Sequence, residues 1–226
     1  YGPRSTARNV REVVVKMAVS HADKKALTLF SKEIAQAGTG MAPGITNIVG
    51  GRPKVSPMIR LFSCLVPKST AQTTVDFQGS TMPVVVDTTN GFDGVNEAPI
   101  SAPAGLQTTA VVPLVKLAWA RSGDKGNHGN IGVIARKPEY LPFIKAALTP
   151  AAVANYMQHL LDPQTGKVSG WELPGLDALN FLLENSLGGG GIASLRIDPQ
   201  GKAFAQQLLE FPIPVSSSIA HELQAN

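Results

Sequence analysis

The chain has 226 residues, of which 43% are hydrophobic and 16% charged, a size and composition that suit one or two globular domains. Its net charge of +4 comes from scattered Lys and Arg residues, which argues against a nucleic-acid partner. No apolar run reaches the roughly 18 residues that a membrane-spanning helix needs, so we also expect no membrane partner.

The cysteine and histidine pattern argues against a disulfide and against a metal site. Cys64 is the single cysteine, and it has no cysteine or histidine nearby in the sequence. The four histidines are isolated and lack metal-ligand spacing. We therefore expect no metal, no cofactor and a cytoplasmic location. The start of the sequence has no signal-peptide layout. Because the first residue is Tyr1 rather than Met, we expect a fragment, a processed product or an incomplete chain.

The first 87 residues contain few clear elements. The valine-rich stretch 10–19 predicts a strand, and apolar residues at helical spacing predict a helix over Asp23–Ala35 with Asp23 as its cap. Strands are predicted at Thr73–Phe77 and Met82–Asp87, joined by a glycine turn. Residues 88–110 are rich in Thr, Asn, Gly, Pro and Ala, so we predict a linker there and a domain boundary near its end.

Strands and helices alternate after this linker. The predicted strands are Leu114–Ala120, Ile131–Arg136, Val168–Leu173, Ala193–Asp198 and Phe211–Val215. The predicted helices are Tyr140–Leu148, Ala151–Leu161, Leu176–Leu187 and Gly201–Leu209. Thr149 and Pro150 form a cap and first position for the second of these helices, and the polar tail after Ser216 is expected to fray. The alternation predicts an α+β or α/β sandwich with its helices on one face of a sheet.

A loop predicted at 121–130 carries most of the chemistry in this sequence. Successive small residues allow backbone N–H groups to converge on an anion, while Arg and Lys add positive charge. The expected catalytic residues are Asp124, Lys125 and His128, as proton-transfer groups. The expected ligand-binding residues are Arg121, Ser122, Gly123, Gly126, Asn127 and Asn130. The alternative is a simple turn whose Asp and Asn satisfy local backbone groups.

A second glycine cluster occupies 188–191, between a predicted helix and a predicted strand. One interpretation is a ligand-binding segment in which Gly189 and Gly190 let the backbone approach a ligand closely. The alternative is a helix end with a tight connection. Neither cluster is a Walker motif or a dinucleotide fingerprint, because the required glycine spacing and following helix are missing.

Several long motifs together resemble those of one family, the acyclic terpene utilisation (AtuA-like) proteins. They are LAWARSGDKGN at 117–127, NIGV at 130–133, ELPGLDALNF at 172–181, LGGGG at 187–191 and SLR at 194–196, with AGTGMAPG at 37–44 and GRPK at 51–54. The resemblance implies that residues 1–87 are the C-terminal part of a larger, truncated domain, followed by the linker. It further implies that residues 111–226 form a ferredoxin-like domain.

The resemblance also implies a role in the breakdown of citronellol- and geraniol-type terpenes, which proceeds through branched acyl-CoA thioesters. We therefore expect part of an enzyme, of hydratase, lyase or isomerase type, whose partners are an acyl-CoA or a carboxylate and the missing N-terminal domain. The alternative is a non-catalytic oligomerisation module, because a low charge fraction suits a surface that is hidden in a homo-oligomer. A third reading, a nucleic-acid-binding sheet, requires exposed aromatic pairs that we do not find in the predicted strands.

Overall fold

The computed structural model describes residues 2–5, 7, 9–46, 50–87, 89 and 99–225. The chain divides into two compact units, of which one is Phe62–Ala98 and the other contains Tyr1–Leu61 and Pro99–Asn226. Most of the first half of the predicted linker, residues 88 and 90–98, lies outside the described residues.

The described residues of the smaller unit contain one β-hairpin, formed by β1 (Thr73–Phe77) and β2 (Ser80–Val84) in antiparallel register. Gln78 and Gly79 form its turn with φ of +47° and +81°. Positive φ at both central residues is what a two-residue hairpin turn needs to match the twist of its strands. The predicted hairpin is confirmed, although its second strand begins and ends earlier than expected.

Among its described residues, the N-terminal part of the larger unit forms helices but no strand. Helix α1 (Lys24–Glu33) begins where the sequence predicts, since the Asp23 carboxylate accepts a 2.8 Å hydrogen bond from the Lys25 N–H. A short α2 (Ala37–Gly40) follows it. The strand predicted at 10–19 is wrong, because this segment is exposed and pairs with no strand of the described chain.

Residues 110–225 carry the remaining strands and helices. The strands are β3 (Ala110–Pro113), β4 (Ala118–Lys125), β5 (His128–Ala135), β6 (Lys167–Leu173), β7 (Ala178–Glu184) and β8 (Pro212–Val215). The helices are α3 (Leu141–Ala147), α4 (Pro150–Tyr156), α5 (Phe204–Leu208) and α6 (Ser217–Ala225). Four strands form an antiparallel sheet in the order β4-β5-β7-β6, and β3 pairs with β8 separately. The predicted α+β fold is confirmed.

The core lies on one face of the four-stranded sheet, which we call the inner face. Alternate residues of the central strands point to it and are fully buried, among them Ile131, Phe181 and Leu183. They pack in one cluster with residues of α3, α4 and α5, such as Ile144 and Phe204. Because strand side chains alternate, every intervening residue of the sheet lies on the opposite, outer face.

Three predicted elements near the C-terminus are wrong. The helix expected at 176–187 is instead strand β7, in which the buried residues Leu179, Phe181 and Leu183 alternate with half-buried ones. The strand expected at 193–198 is instead an irregular segment that begins in a turn and ends in bends. The tail after Ser216 forms helix α6, which buries Ile219 in the core.

Candidate functional site

The polar glycine-rich segment at 121–130 is a β-hairpin, and the loop predicted there is wrong. Strand β4 continues to Lys125 and pairs residue by residue with β5, from Ala118–Ala135 to Lys125–His128. Only Gly126 and Asn127 remain as the turn, with φ of +65° at the glycine. Most of its polar residues lie on the outer face or near the strand ends, and Ser122, which is buried on the inner face, has hydrogen-bond partners there.

The two glycine clusters meet at the tip of this hairpin. The backbone oxygen of Asn127 accepts hydrogen bonds from the N–H groups of Ser186 and Leu187, at 3.0 and 3.2 Å. Its side-chain Oδ1 accepts from the Gly189 N–H at 2.7 Å, and its Nδ2 donates to Asn185 Oδ1 at 3.1 Å. Asn127 therefore provides hydrogen-bond acceptors for the backbone N–H groups of the segment that follows β7.

The glycines at this junction allow neighbouring parts of the chain to pack closely together, and they do not line an open pocket. A Cβ on Gly190 would lie 2.9 Å from the backbone oxygen of Gly126, and the φ of Gly190 is +84°. A Cβ on Gly129 would lie 2.8 Å from the ring of Phe204. Close backbone approach inside the protein thus accounts for these two glycines.

Three further polar residues of the hairpin are engaged in internal hydrogen bonds. Ser122 is only 6% exposed, and its Oγ accepts from the Ala205 N–H at 2.9 Å. The Nδ1 of His128 accepts from the Asn185 N–H at 3.0 Å, which places the imidazole proton of the neutral ring on Nε2. The Nδ2 of Asn130 donates to Asn180 Oδ1 across the outer face.

The charged residues of the hairpin are distributed differently. Arg121 and Lys125 are exposed on the outer face of β4, and Lys125 Nζ donates to the backbone oxygen of Asp124 at 3.0 Å. The Nζ of Lys202 lies 3.3 Å from the position that a Cβ on Gly123 would take. None of these three cations forms an ion pair with a carboxylate in the part of the chain that the structure describes.

The outer face beside these cations combines apolar and polar groups. Trp119 and Ile134 are cross-strand partners on β4 and β5, and they are 52% and 41% exposed. Gly132 lies opposite Arg121 and has no side chain to fill the space between Arg121 and Asn180. The sequence patterns do not identify Lys202 or the outer face of β7 as parts of the site. Period-2 alternation in 178–184 is the signal that could have indicated that face of β7.

A cleft of about 380 Å³ has Arg196, Phe204 and Gln207 among its lining residues. Within the described residues, no group of three or more His, Cys, Asp or Glu side chains could hold a metal ion. The described helices include none with the length and apolar character needed to cross a membrane.

Two family models match this chain. The model of the acyclic terpene utilisation family protein AtuA matches residues 2–77. The model of the AtuA ferredoxin-like domain matches residues 112–214, which span the four-stranded sheet and its helices. Searches of curated proteins and of solved structures gave no match. The chain therefore belongs to the acyclic terpene utilisation (AtuA) family, and it carries that family's ferredoxin-like domain.

Proposed function

We propose that this chain is part of an enzyme of acyclic terpene and branched acyl-CoA breakdown, and that the outer face of β4 binds an anionic intermediate. The ligand class is a branched acyl-CoA thioester or the corresponding carboxylate. Membership of the AtuA family supports the terpene context. The exposed cations Arg121 and Lys125 on β4 support the proposal that the ligand is an anion.

The supporting observation is the set of three cations without an ion-paired carboxylate among the described residues, Arg121, Lys125 and Lys202. Each can donate hydrogen bonds to a carboxylate or a phosphate, and Arg121 can do so in a bidentate manner. The absence of a side chain at Gly132 leaves room for a ligand to approach the strand backbone, and at Gly123 it leaves room for the Nζ of Lys202.

The neighbouring apolar groups suit the other end of such a ligand. Trp119 and Ile134 lie one step along the same face of β4 and β5. A branched acyl chain that covered them would remove exposed apolar surface from water, at about 25 cal/mol per Å². The proposed ligand therefore places its negative charge near Arg121 and its hydrocarbon near Trp119.

Lys125 and His128 are the proposed proton-transfer residues on this face, and Asp124 is proposed as a third at the end of the same strand, where its side chain alternates to the other face of β4. His128 offers Nε2–H as a donor, because its Nδ1 already accepts from the Asn185 N–H. A lysine ammonium and a neutral imidazole N–H can together stabilise the oxyanion that forms when a thioester is enolised. Proposed reactions are therefore those that remove or add a proton beside a thioester carbonyl: hydration, elimination or isomerisation.

The test is calorimetric titration of the full chain with isovaleryl-CoA, free CoA and isovalerate. We expect the Arg121→Ala/Lys125→Ala double variant to bind isovaleryl-CoA at least about tenfold more weakly, because two charged donors are lost. Lys167→Ala is the matched control, since Lys167 lies on the outer face at the opposite edge and pairs with Glu184. Equal affinity of the double variant and the wild type would contradict the proposal.

A second candidate function is a non-catalytic oligomerisation module, and the exposed Trp119 and Ile134 favour it. Two copies that packed their outer faces together would bury both side chains. Light scattering at high protein concentration tests this candidate. A dimer that dissociates in Trp119→Glu, but not in Trp119→Phe, is the expected result, and a monodisperse wild-type monomer would exclude it.

A further inference from the structure

Arg196 is held in place by the backbone. Its Nη1 donates to the backbone oxygen of Leu160 at 2.7 Å and to that of Ser186. Its Nε lies 3.1 Å from the position that a Cβ on Gly188 would take, so a larger residue at 188 would crowd the guanidinium. The side chain thus has a fixed orientation before any ligand arrives, and a preorganised donor loses little entropy on binding.

This guanidinium is half-buried and lacks a neutralising partner. No carboxylate oxygen of the described residues lies within 4.0 Å of it. Burial lowers the pKa of Arg196 from its ordinary value, and the more distant charge of Asp162 opposes that shift. Arginine nevertheless remains protonated in proteins, so a positive charge with little access to water is retained here. Such a charge attracts an anion more strongly than an exposed one does.

The cleft beside Arg196 has a volume of about 380 Å³. Leu160, Ile197 and Phe204 contribute apolar side chains to its lining, so hydrocarbon can pack there. This volume lies within the range of about 300–1,000 Å³ that is typical of small-molecule sites. One fixed cation together with an apolar wall is the combination expected of a site for a small amphipathic anion.

The other polar residues of the cleft are compatible with an anion. His159 and Gln207 are hydrogen-bonded to each other, with 2.8 Å between Nε2 and Oε1. Asp198 is the only carboxylate among the lining residues, and its two oxygens accept from the N–H groups of Lys202 and Ala203 at 2.9 and 2.8 Å. These bonds direct the Asp198 charge toward the start of α5 rather than toward Arg196.

We infer that this cleft is a second binding site, which takes a small carboxylate with an apolar chain. The carboxylate pairs with Arg196, and the chain lies against Leu160, Ile197 and Phe204. The lining residues of this cleft include none of Arg121, Lys125 and Lys202, and the inference does not depend on the function proposed for β4.

The test is calorimetric titration of the full chain with octanoate, octan-1-ol and inorganic phosphate. We expect saturable binding of octanoate. Octan-1-ol lacks the negative charge and inorganic phosphate lacks the hydrocarbon chain, so each should bind at least about tenfold more weakly. No saturation with octanoate, or phosphate binding of equal strength, would overturn the inference.

The informative variant is Ile197→Glu, because replacing Arg196 itself would remove bonds to two backbone oxygens and could unfold the segment. Ile197 is 50% exposed, so the new carboxylate can be tolerated while it repels the ligand. Leu195→Glu is the matched control, since Leu195 is 42% exposed and is not among the lining residues.

We expect octanoate to bind Ile197→Glu at least about tenfold more weakly and Leu195→Glu within about twofold of the wild type. All of these titrations are made in the Arg121→Ala/Lys125→Ala background, so that carboxylate binding at β4 does not contribute to the signal. Unchanged binding when Ile197→Glu is added to this background would refute the assignment.

Discussion

The Oδ1 atom of Asn127 accepts a 2.7 Å hydrogen bond from the backbone N–H of Gly189, a residue 62 positions later in the chain. The contact joins the turn of the β4–β5 hairpin to the glycine segment that follows β7. It gives two motifs of the family signature a shared structural role, in addition to any role in binding.

The first prediction concerns this contact. Asn127→Ala removes the acceptor of the Gly189 N–H and the donor to Asn185, so we expect unfolding free energy to fall by about 1–3 kcal/mol. Urea unfolding measures this change. Asn155→Ala is the matched control, because Asn155 is an exposed residue of α4, and it should change stability by less than about 0.5 kcal/mol. Equal effects of the two substitutions would show that the contact contributes nothing.

The second prediction compares two glycines of the same junction. Gly126 and Gly190 both have positive φ, but only at Gly190 would a Cβ meet backbone, 2.9 Å from the Gly126 oxygen. In each Ala variant the free energy of unfolding should fall by about 1–2 kcal/mol, because alanine is strained in the left-handed conformation. Gly190→Ala should lose at least about 1 kcal/mol more, because the hairpin must move to admit the methyl group. Thermal unfolding in which Gly126→Ala is the less stable variant would contradict this packing.

The third prediction concerns Ser122, which the sequence indicated as a ligand-binding residue. Its Oγ accepts from the N–H of Ala205 in the first turn of α5, so Ser122→Ala leaves that buried donor without its partner. We expect a loss of about 1–2 kcal/mol in stability with isovaleryl-CoA affinity unchanged. Ser169→Ala on the outer face of β6 is the control. A variant of normal stability that fails to bind the thioester would reverse this assignment.

The fourth prediction concerns pH. A hydrogen bond from Lys145, with 2.7 Å between Nζ and Oε2, lowers the pKa of Glu172 below 4.5, and the Ser101 N–H adds to the effect. A lowered folded-state pKa contributes stability above pH 4.5, and this contribution disappears as pH falls through the folded value.

Glu172→Gln should therefore be less stable than the wild type by about 1 kcal/mol at neutral pH, a small effect because the pair is partly exposed to solvent. The difference should narrow as the pH falls from neutrality through the folded-state pKa of Glu172, which lies below 4.5. Denaturant unfolding of both proteins across this range provides the measurement, with Glu139→Gln at an exposed position as the control. A difference that does not vary with pH would exclude the ionised carboxylate as its cause.

Local signals in the sequence predicted the elements whose ends are defined by neighbouring residues. Asp23 and Thr149 each cap a helix through a side-chain oxygen that accepts a backbone N–H two or three residues later. The turn at Gln78 and Gly79 likewise depends on residues that are adjacent in sequence. These interactions are short-range, so the residue types alone are sufficient to predict them.

The sequence predicts a helix over 176–187 because Leu, Ala and Glu all favour helices. Its buried residues Leu179, Phe181 and Leu183 fit a period of two, but that pattern is decisive only once β5 and β6 are known to lie on either side. Strand pairing with distant segments overrode the local preference.

The sequence by itself determined the family, the α+β class and the kinds of polar group that lie near the hairpin. The tertiary structure alone decided which of those groups are used internally, as Asn127 and Ser122 are, and which remain exposed, as Arg121 and Lys125 do. The physical reason is that a polar side chain can bind a ligand only if its hydrogen-bonding groups are not already used by other parts of the chain. Folding determines which distant groups come within hydrogen-bonding range of it.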